Sequence, residues 1–262
     1  MKIFIVTQNA PMYLAGFLDD LLTRIGKTPH RVVGICVLSP FFKKSLMREI
    51  RERYNYYGPV DFFKMSVHIA KNKLLSCVSR IVPSVGCHSV SNIIRRHRLH
   101  EVKTNSINSR EFIDYIKANR IDLIISIASS QIFKTEILNA PVKGCINYHT
   151  ALLPRYRGRQ PLFWALLNGE KETGISIHEM DEKIDNGAII VQRALPITPA
   201  DTLHTIYLKT LGIGPELLAE AIRILGDDCK DRVANDASLA TYNSFPTKED
   251  AKLFRSRGKR FF

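Results

Sequence analysis

Four short apolar runs, at residues 2–7 (KIFIVT), 31–38 (RVVGICVL), 122–128 (DLIISIA) and 144–148 (GCINY), constrain this chain more than any other feature. Each is β-branched or apolar with little polar alternation, so each predicts a strand buried on both faces. The chain between them is long enough for crossover helices. Two segments carry the helical period: 14–25, and 109–119, where Ser109 is an N-cap candidate and Phe112, Ile113 and Ile116 share one face. Such an alternation closes as an open α/β sheet of Rossmann-like form, mostly parallel, with flanking helices. Ligands of such sheets bind beyond the carboxyl ends of the strands.

The rest of the chain is organised around this frame. Residues 41–100 mix basic and aromatic side chains (RERYNYYGPVDFFK) with a helix-like run at 67–81, and read as an insertion whose aromatics cover the sheet. Residues 161–167 read as a helix with Pro161 in its first turn and Asn168-Gly169 as its stop. TGISIHEM at 173–180 and GAIIVQRALPI at 187–197 form a hairpin-like strand pair joined by the polar segment 181–186. A helix over 202–225, capped by Asp201, ends a main domain of residues 1–226, and 227–262 form a small C-terminal appendage.

Charge narrows the partners. Lys and Arg outnumber Asp and Glu by 38 to 25, which favours anionic ligands. The excess is clustered at Lys43, Lys44, Arg48, Arg51 and Arg53, at Arg95, Arg96, Arg98 and Lys103, and at Arg255, Arg257, Lys259 and Arg260. Such runs also serve as plain solvated helix faces, which is the reading favoured here over nucleic acid or acidic lipid. Five cysteines form no C-x-x-C pair and are odd in number, so neither a disulfide framework nor a metal site is expected and a reducing cytoplasm fits. The longest apolar stretch, near 123–133, is interrupted by Ser126, Ser129, Ser130 and Gln131, too short for a membrane span. The opening apolar run is likewise too short for a secretory signal.

The chemistry is concentrated in INYHTALLPRYRGRQPLFW, residues 146–164. On a strand, Asn147 and His149 at i and i+2 point to the same face. An amide and an imidazolium N–H aimed at one point suit a developing oxyanion in acyl transfer. Spacing alone leaves open that both are structural, satisfied by nearby backbone.

Several ordered motifs go further. Asn147-x-His149-x-x-Leu152-Leu153-Pro154-x-Tyr156-Arg157-Gly158, then Pro161-Leu162-x-Trp164, Gly169-x-x-x-Thr173-Gly174 and Ile184-Asp185-x-Gly187 together resemble the folate-dependent N-formyltransferase family. The resemblance runs over about residues 122–197. It implies the catalytic trio Asn147, His149 and Asp185, 10-formyltetrahydrofolate as donor, a primary amine as acceptor and no metal. It further implies that the folate head group lies along Ile127, Ser129, Ile132 and Leu153 and against Glu182, Lys183 and Ile184. Asn9, at the end of the first strand where such sheets bind ligands, and Arg157, Arg159 and Gln160 are the candidate acceptor contacts, although Arg157 equally suits bracing its loop through carbonyls. Asp185 before Asn-Gly also suits a simple Asx-turn. His178 and His204 lack partners at ligand spacing and read as structural or solvated, and Gly212 and Gly214 follow no strand that would make them a nucleotide loop.

Within that family, the form of residues 157–164 and the stretch Tyr242-Asn243-Ser244-Phe245-Pro246-Thr247-x-Glu249-Asp250 look most like the sugar-nucleotide branch. The expected acceptor is therefore a nucleotide-linked amino-deoxysugar, as in surface polysaccharide (O-antigen) synthesis, with basic residues neutralising the diphosphate. A homodimer is compatible with this reading. The short stretch after residue 225 argues against the C-terminal barrel with which tRNA enzymes of the family grip their substrate. The alternatives are a methionyl-tRNA formyltransferase without that barrel, a formyl-folate hydrolase, and a non-catalytic folate-binding homologue.

Overall fold

The computed structural model describes residues 1–9, 12–39, 46–79, 81–82, 86–229 and 231–262. The start of the insertion, with Lys43 and Lys44, lies outside the described residues. Among the described residues the strands and α-helices follow in the order β1 (Lys2–Gln8), α1 (Leu14–Ile25), β2 (Arg31–Leu38), α2 (Leu46–Val78), α3 (Val90–Arg96), α4 (Arg110–Ala118), β3 (Leu123–Ile127), α5 (Thr135–Leu138), β4 (Cys145–His149), β5 (Arg157–Gly158), α6 (Pro161–Leu167), β6 (Glu172–Glu179), β7 (Ile189–Pro196), α7 (Leu203–Gly226), β8 (Tyr242–Asn243) and α8 (Lys248–Ser256).

Six strands form one sheet in the order β2-β1-β3-β4-β6-β7. The four expected apolar runs are its parallel part, and β6 and β7 add an antiparallel edge. The sheet is buried on both faces, which is why its parallel strands are apolar throughout. Ile3, Ile5, Ile125 and Ile146 enter the core under α1 and α7. Their neighbours Phe4, Val6, Ile124 and Cys145 enter the core under α4 and α5. The period of two thus assigns every strand residue to one side or the other.

Local signals hold at most helix ends. The Ser109 side chain accepts from the Phe112 N–H and starts α4, as expected. At α7 the cap is Thr202, not Asp201: Thr202 and Thr205 form a reciprocal capping box. The Asp201 carboxylate lies one residue too early and instead accepts from the Thr198 N–H at 2.8 Å and pairs with Lys209 at 2.7 Å. Gly212 and Gly214 lie inside α7.

The insertion and the C-terminal residues share one core. α2 is kinked at Gly58 and Pro59, as expected where a proline cannot continue the helical ladder. Tyr56, ahead of the kink, packs with Leu162 and Phe163 of α6, Phe254 of α8 and Phe261. Of the insertion's aromatics, Tyr56 and Tyr57 therefore pack on α6 and the C-terminal residues and not on the sheet, while Tyr54 and Phe63 are exposed. Phe163 and Phe254 stack with ring centroids 4.7 Å apart. Residues 227–262, expected as an appendage, also supply β8, which pairs with β5.

Candidate active site

The period of two that builds the core also builds the site. Asn147 and His149 continue the face of β4 that begins with Cys145, beyond the cover that α5 gives to Cys145. Antiparallel pairing sets His178 of β6 directly opposite Asn147, so its side chain emerges on that same face. Asp185 comes from the β6–β7 connection with a φ of 49°. That connection lies tightly against β6 because position 187 is glycine: a Cβ there would run into the Glu179 carbonyl.

The four groups meet. Asn147 Nδ2 donates to Asp185 Oδ1 at 3.2 Å, and His149 Nδ1 lies 3.6 Å from Asp185 Oδ2. His178 Nε2 lies 3.4 Å from Asp185 Oδ1 and 3.3 Å from Asn147 Nδ2. The Gly158 N–H donates to Asp185 Oδ2 at 2.8 Å. The expected trio is therefore assembled, and Asp185 does more than make a turn.

Protonation follows from the partners. Burial would raise the Asp185 pKa, but His149, His178 and the Gly158 N–H outweigh it and hold the carboxyl at about 2. His149 Nε2 faces the Tyr156 carbonyl at 2.9 Å; a carbonyl only accepts, so Nε2 carries the proton and Nδ1 faces Asp185. Burial lowers the His149 pKa and His178 adds to the lowering, against the opposing pull of Asp185 and of the Tyr156 carbonyl. The imidazolium expected from the sequence is thereby corrected: desolvation outweighs the pull of Asp185, and the resting ring is neutral.

The sign is testable. A folded-state histidine pKa below its ordinary 6.5 means that the unfolded chain takes up the proton first, so this contribution to stability is complete above pH 6.5 and is lost as the pH falls below it. Nitrogen-15 NMR of histidine-labelled protein should show His149 neutral at pH 7, protonated at Nε2, with its midpoint below 6.5. An imidazolium at pH 7 would overturn the assignment.

His178, read from sequence as structural or solvated, is brought into the candidate site by the pairing of β6 with β4. It is 1% exposed, and its Nδ1 donates to the Glu179 carbonyl at 2.6 Å. With Nδ1 engaged by that carbonyl, Nε2 is left facing both the Asn147 amide and the Asp185 carboxylate. The available signal was its place in the hairpin with Asp185, but the register against β4 is not visible in a single strand. His178→Ala should lower kcat about tenfold with little change in KM, and His178→Gln, which retains an acceptor, should restore part of the loss. An unaltered kcat in the Ala variant would leave His178 a core residue only.

The remaining expected residues divide. Ile127 ends β3 in the core, and Leu153 is buried with its N–H donating to Ser176 Oγ at 3.1 Å and its carbonyl accepting from Gln192 at 2.9 Å. Ser129 closes a local turn with Gln131. Ile132 and Ile184 expose apolar side chains, on two segments bridged by the Thr135 hydroxyl donating to Glu182. The Lys183 N–H is held by Asp181 at 2.9 Å.

On the other side, Arg159 is exposed with its guanidinium over the Phe245 ring, 4.9 Å from the centroid. Gln160 starts α6 in a left-handed conformation and accepts from the Tyr207 hydroxyl at 3.1 Å. Asn9 is exposed just past β1. Arg157, expected among the acceptor contacts, is buried and donates to Asn186 Oδ1 and Asn235 Oδ1, each at 2.8 Å. Of its two possible uses the structure displays the bracing one, because Asn235 in turn donates to the Asp185 and Gly187 carbonyls at 2.9 Å. Among the described residues no group of His, Cys, Asp or Glu side chains is placed to hold a metal ion.

Known proteins resemble this chain in sequence and in fold. The pattern of the family described as "Formyl transferase" matches residues 73–222. A methionyl-tRNA formyltransferase of Desulforamulus reducens is 38% identical over 160 residues, 61% of this chain and 50% of the relative. That of Kosmotoga olearia is 31% identical over 223 residues, 85% of this chain and 68% of the relative. The chain thus spans between about half and two thirds of these relatives' length. Among solved structures, WlaRD, described as a sugar 3N-formyl transferase in the presence of dTDP and 5-N-formyl-THF, superposes with a TM-score of 0.60 at 19% identity. That likeness covers 93% of this chain and 69% of WlaRD and is one of fold. By its sequence pattern and its relatives, this chain belongs to the formyl transferase family.

Proposed function

We propose that this protein moves a formyl group from 10-formyltetrahydrofolate to the primary amine of a nucleotide-linked amino-deoxysugar. The observation that carries the reaction is the convergence of Asn147, His149 and Asp185 on one face of the sheet edge. The acceptor class is supported by the sugar-modifying activity in WlaRD's description and by the sequence form of residues 157–164 and 242–250. It is also consistent with residues 235–245, which close over β5 and leave Arg159 at the rim.

The donor fits the residues present. Ile132 and Ile184 offer exposed apolar edges on two segments already tied together by Thr135 and Glu182, a suitable border for a flat heteroaromatic ring. When bound, the donor supplies a formyl carbon whose oxygen gains negative charge as a neutral amine attacks. Asn147 meets that charge by turning one N–H from its resting partners to the oxygen. Neutral His149 takes the proton released by the amine at Nδ1 and, as a cation, would return it to the donor nitrogen as the bond from that nitrogen to the formyl carbon breaks and the carbonyl re-forms, which leaves the ring neutral again. Ionised Asp185 steadies that cation, and its own position is fixed by the Gly158 N–H.

A second reading has its own support: the relatives up to 38% identical are methionyl-tRNA formyltransferases. The two are separated by incubating the protein and donor with nucleotide-linked 3-amino and 4-amino sugars, and in parallel with methionyl-tRNA. Mass spectrometry should find one formyl in place of one hydrogen on a sugar. Formylation of methionyl-tRNA alone would replace the acceptor, and release of formate without any acceptor would make the enzyme a hydrolase.

A further inference from the structure

Beyond its kink, α2 carries a stripe of apolar side chains that the rest of the described structure leaves in solvent. Val60, Phe63, Val67 and Leu74 are 66%, 69%, 52% and 66% exposed, and Val78 is 37% exposed. With exposed Ala70 and Cys77 between them, they occupy a single arc of about 100° on a helical projection. The helix cannot roll to hide this arc. Its opposite side is fixed by buried Met65, by the Ser76 hydroxyl donating to Ser89 at 2.7 Å, and by the Asn92 amide donating to the Ser76 carbonyl at 3.3 Å.

Charge decides what covers the stripe. Lys64 and Lys71 border it on one edge and Lys73 on the other; Lys64 lies 3.5 Å from Asp61, while Lys71 and Lys73 meet no carboxylate among the described residues. The three-four spacing would also fit a partner helix, but pairing two copies of this helix would set these lysines against each other at the flanking positions. A chain of net charge +13 adds to that repulsion. An anionic surface with an apolar layer beneath satisfies both halves of the pattern, because lysine stems lie along the apolar boundary while their ammonium groups reach phosphate. No helix of the described residues is long and apolar enough to cross a membrane.

We propose that the exposed face of α2 from Val60 to Val78 seats this protein peripherally on an anionic lipid bilayer. The probe is cosedimentation with vesicles of phosphatidylcholine alone and of equimolar phosphatidylcholine and phosphatidylglycerol. Retention on the anionic vesicles should be about tenfold higher or more and fall in half-molar salt. F63D/L74D should lose about tenfold of that retention with unchanged circular dichroism and melting, since both side chains are exposed. K71E/K73E should keep the apolar stripe but lose the preference for anionic vesicles. Equal or absent retention on both vesicle types would overturn the proposal, as would wild-type retention by F63D/L74D. So would a dimer in sedimentation velocity that F63D/L74D dissociates without any vesicle binding, which would make a second copy the occupant.

Discussion

Asn147→Ala should lower kcat for formyl transfer by about 10²- to 10³-fold, the usual cost of removing one preorganised oxyanion donor. KM for the donor should change little, because this hydrogen bond strengthens only as charge develops on the formyl oxygen. The fold should survive. Asn147 is half-buried at the carboxyl end of β4, with the core supplied by Ile146 and Tyr148 on the other face. Asp185 loses one donor but keeps the Gly158 N–H. Steady-state kinetics beside a thermal melt separate the two effects, and a loss below about fivefold at unchanged melting would remove Asn147 from the oxyanion role.

Gly158→Ala should be damaging in a different way. Gly158 has a φ of +95°, a conformation that L side chains rarely adopt, and an added Cβ would meet the Asn243 carbonyl with the Tyr242 ring 3.1 Å away. Strain and crowding together should cost about 2–4 kcal/mol, or roughly 5–15 °C of melting temperature. The same residue donates the N–H that anchors Asp185 and pairs with β8. Surviving folded protein should therefore also turn over more slowly, with the largest loss in kcat. Gly16→Ala is the control: its Cβ would meet nothing within 4 Å inside α1, so it should be neutral or stabilising by about 0.5–1 kcal/mol. If both variants melted alike, the tight approach of β5 to β8 would not be a constraint.

Local physics made much of this protein legible in advance. Apolar runs with no polar alternation could only be strands covered on both sides, and the helical stretches between them required parallel crossovers. The i, i+2 spacing put Asn147 and His149 on one face before any coordinate was known. Ser109 capped its helix because a cap needs only the next three residues. The same reasoning missed by one residue at α7, where two threonines satisfied each other better than Asp201 could satisfy the helix.

What failed to show in the sequence depended on register and burial. His178 joins the site because β6 runs antiparallel to β4 and sets it opposite Asn147, a pairing encoded by neither strand alone. Arg157 is turned inward because Asn186 and Asn235, 29 and 78 residues away, converge on its guanidinium. The last residues come back through β8 to pair with β5 and through Phe254 to pack on α6, contacts for which their composition gave no sign. Most consequential is the charge of His149: its neighbour Asp185 could be named from sequence, but the depth of burial could not, and desolvation leaves the expected imidazolium neutral. Periodicity and short-range hydrogen bonding thus determined the strands and helices, and the family resemblance of the ordered motifs pointed to Asn147, His149 and Asp185 as the candidate trio. Strand register, the paths of distant segments and the exclusion of water are properties of the packed whole, and they alone decided how that trio is held, protonated and enclosed.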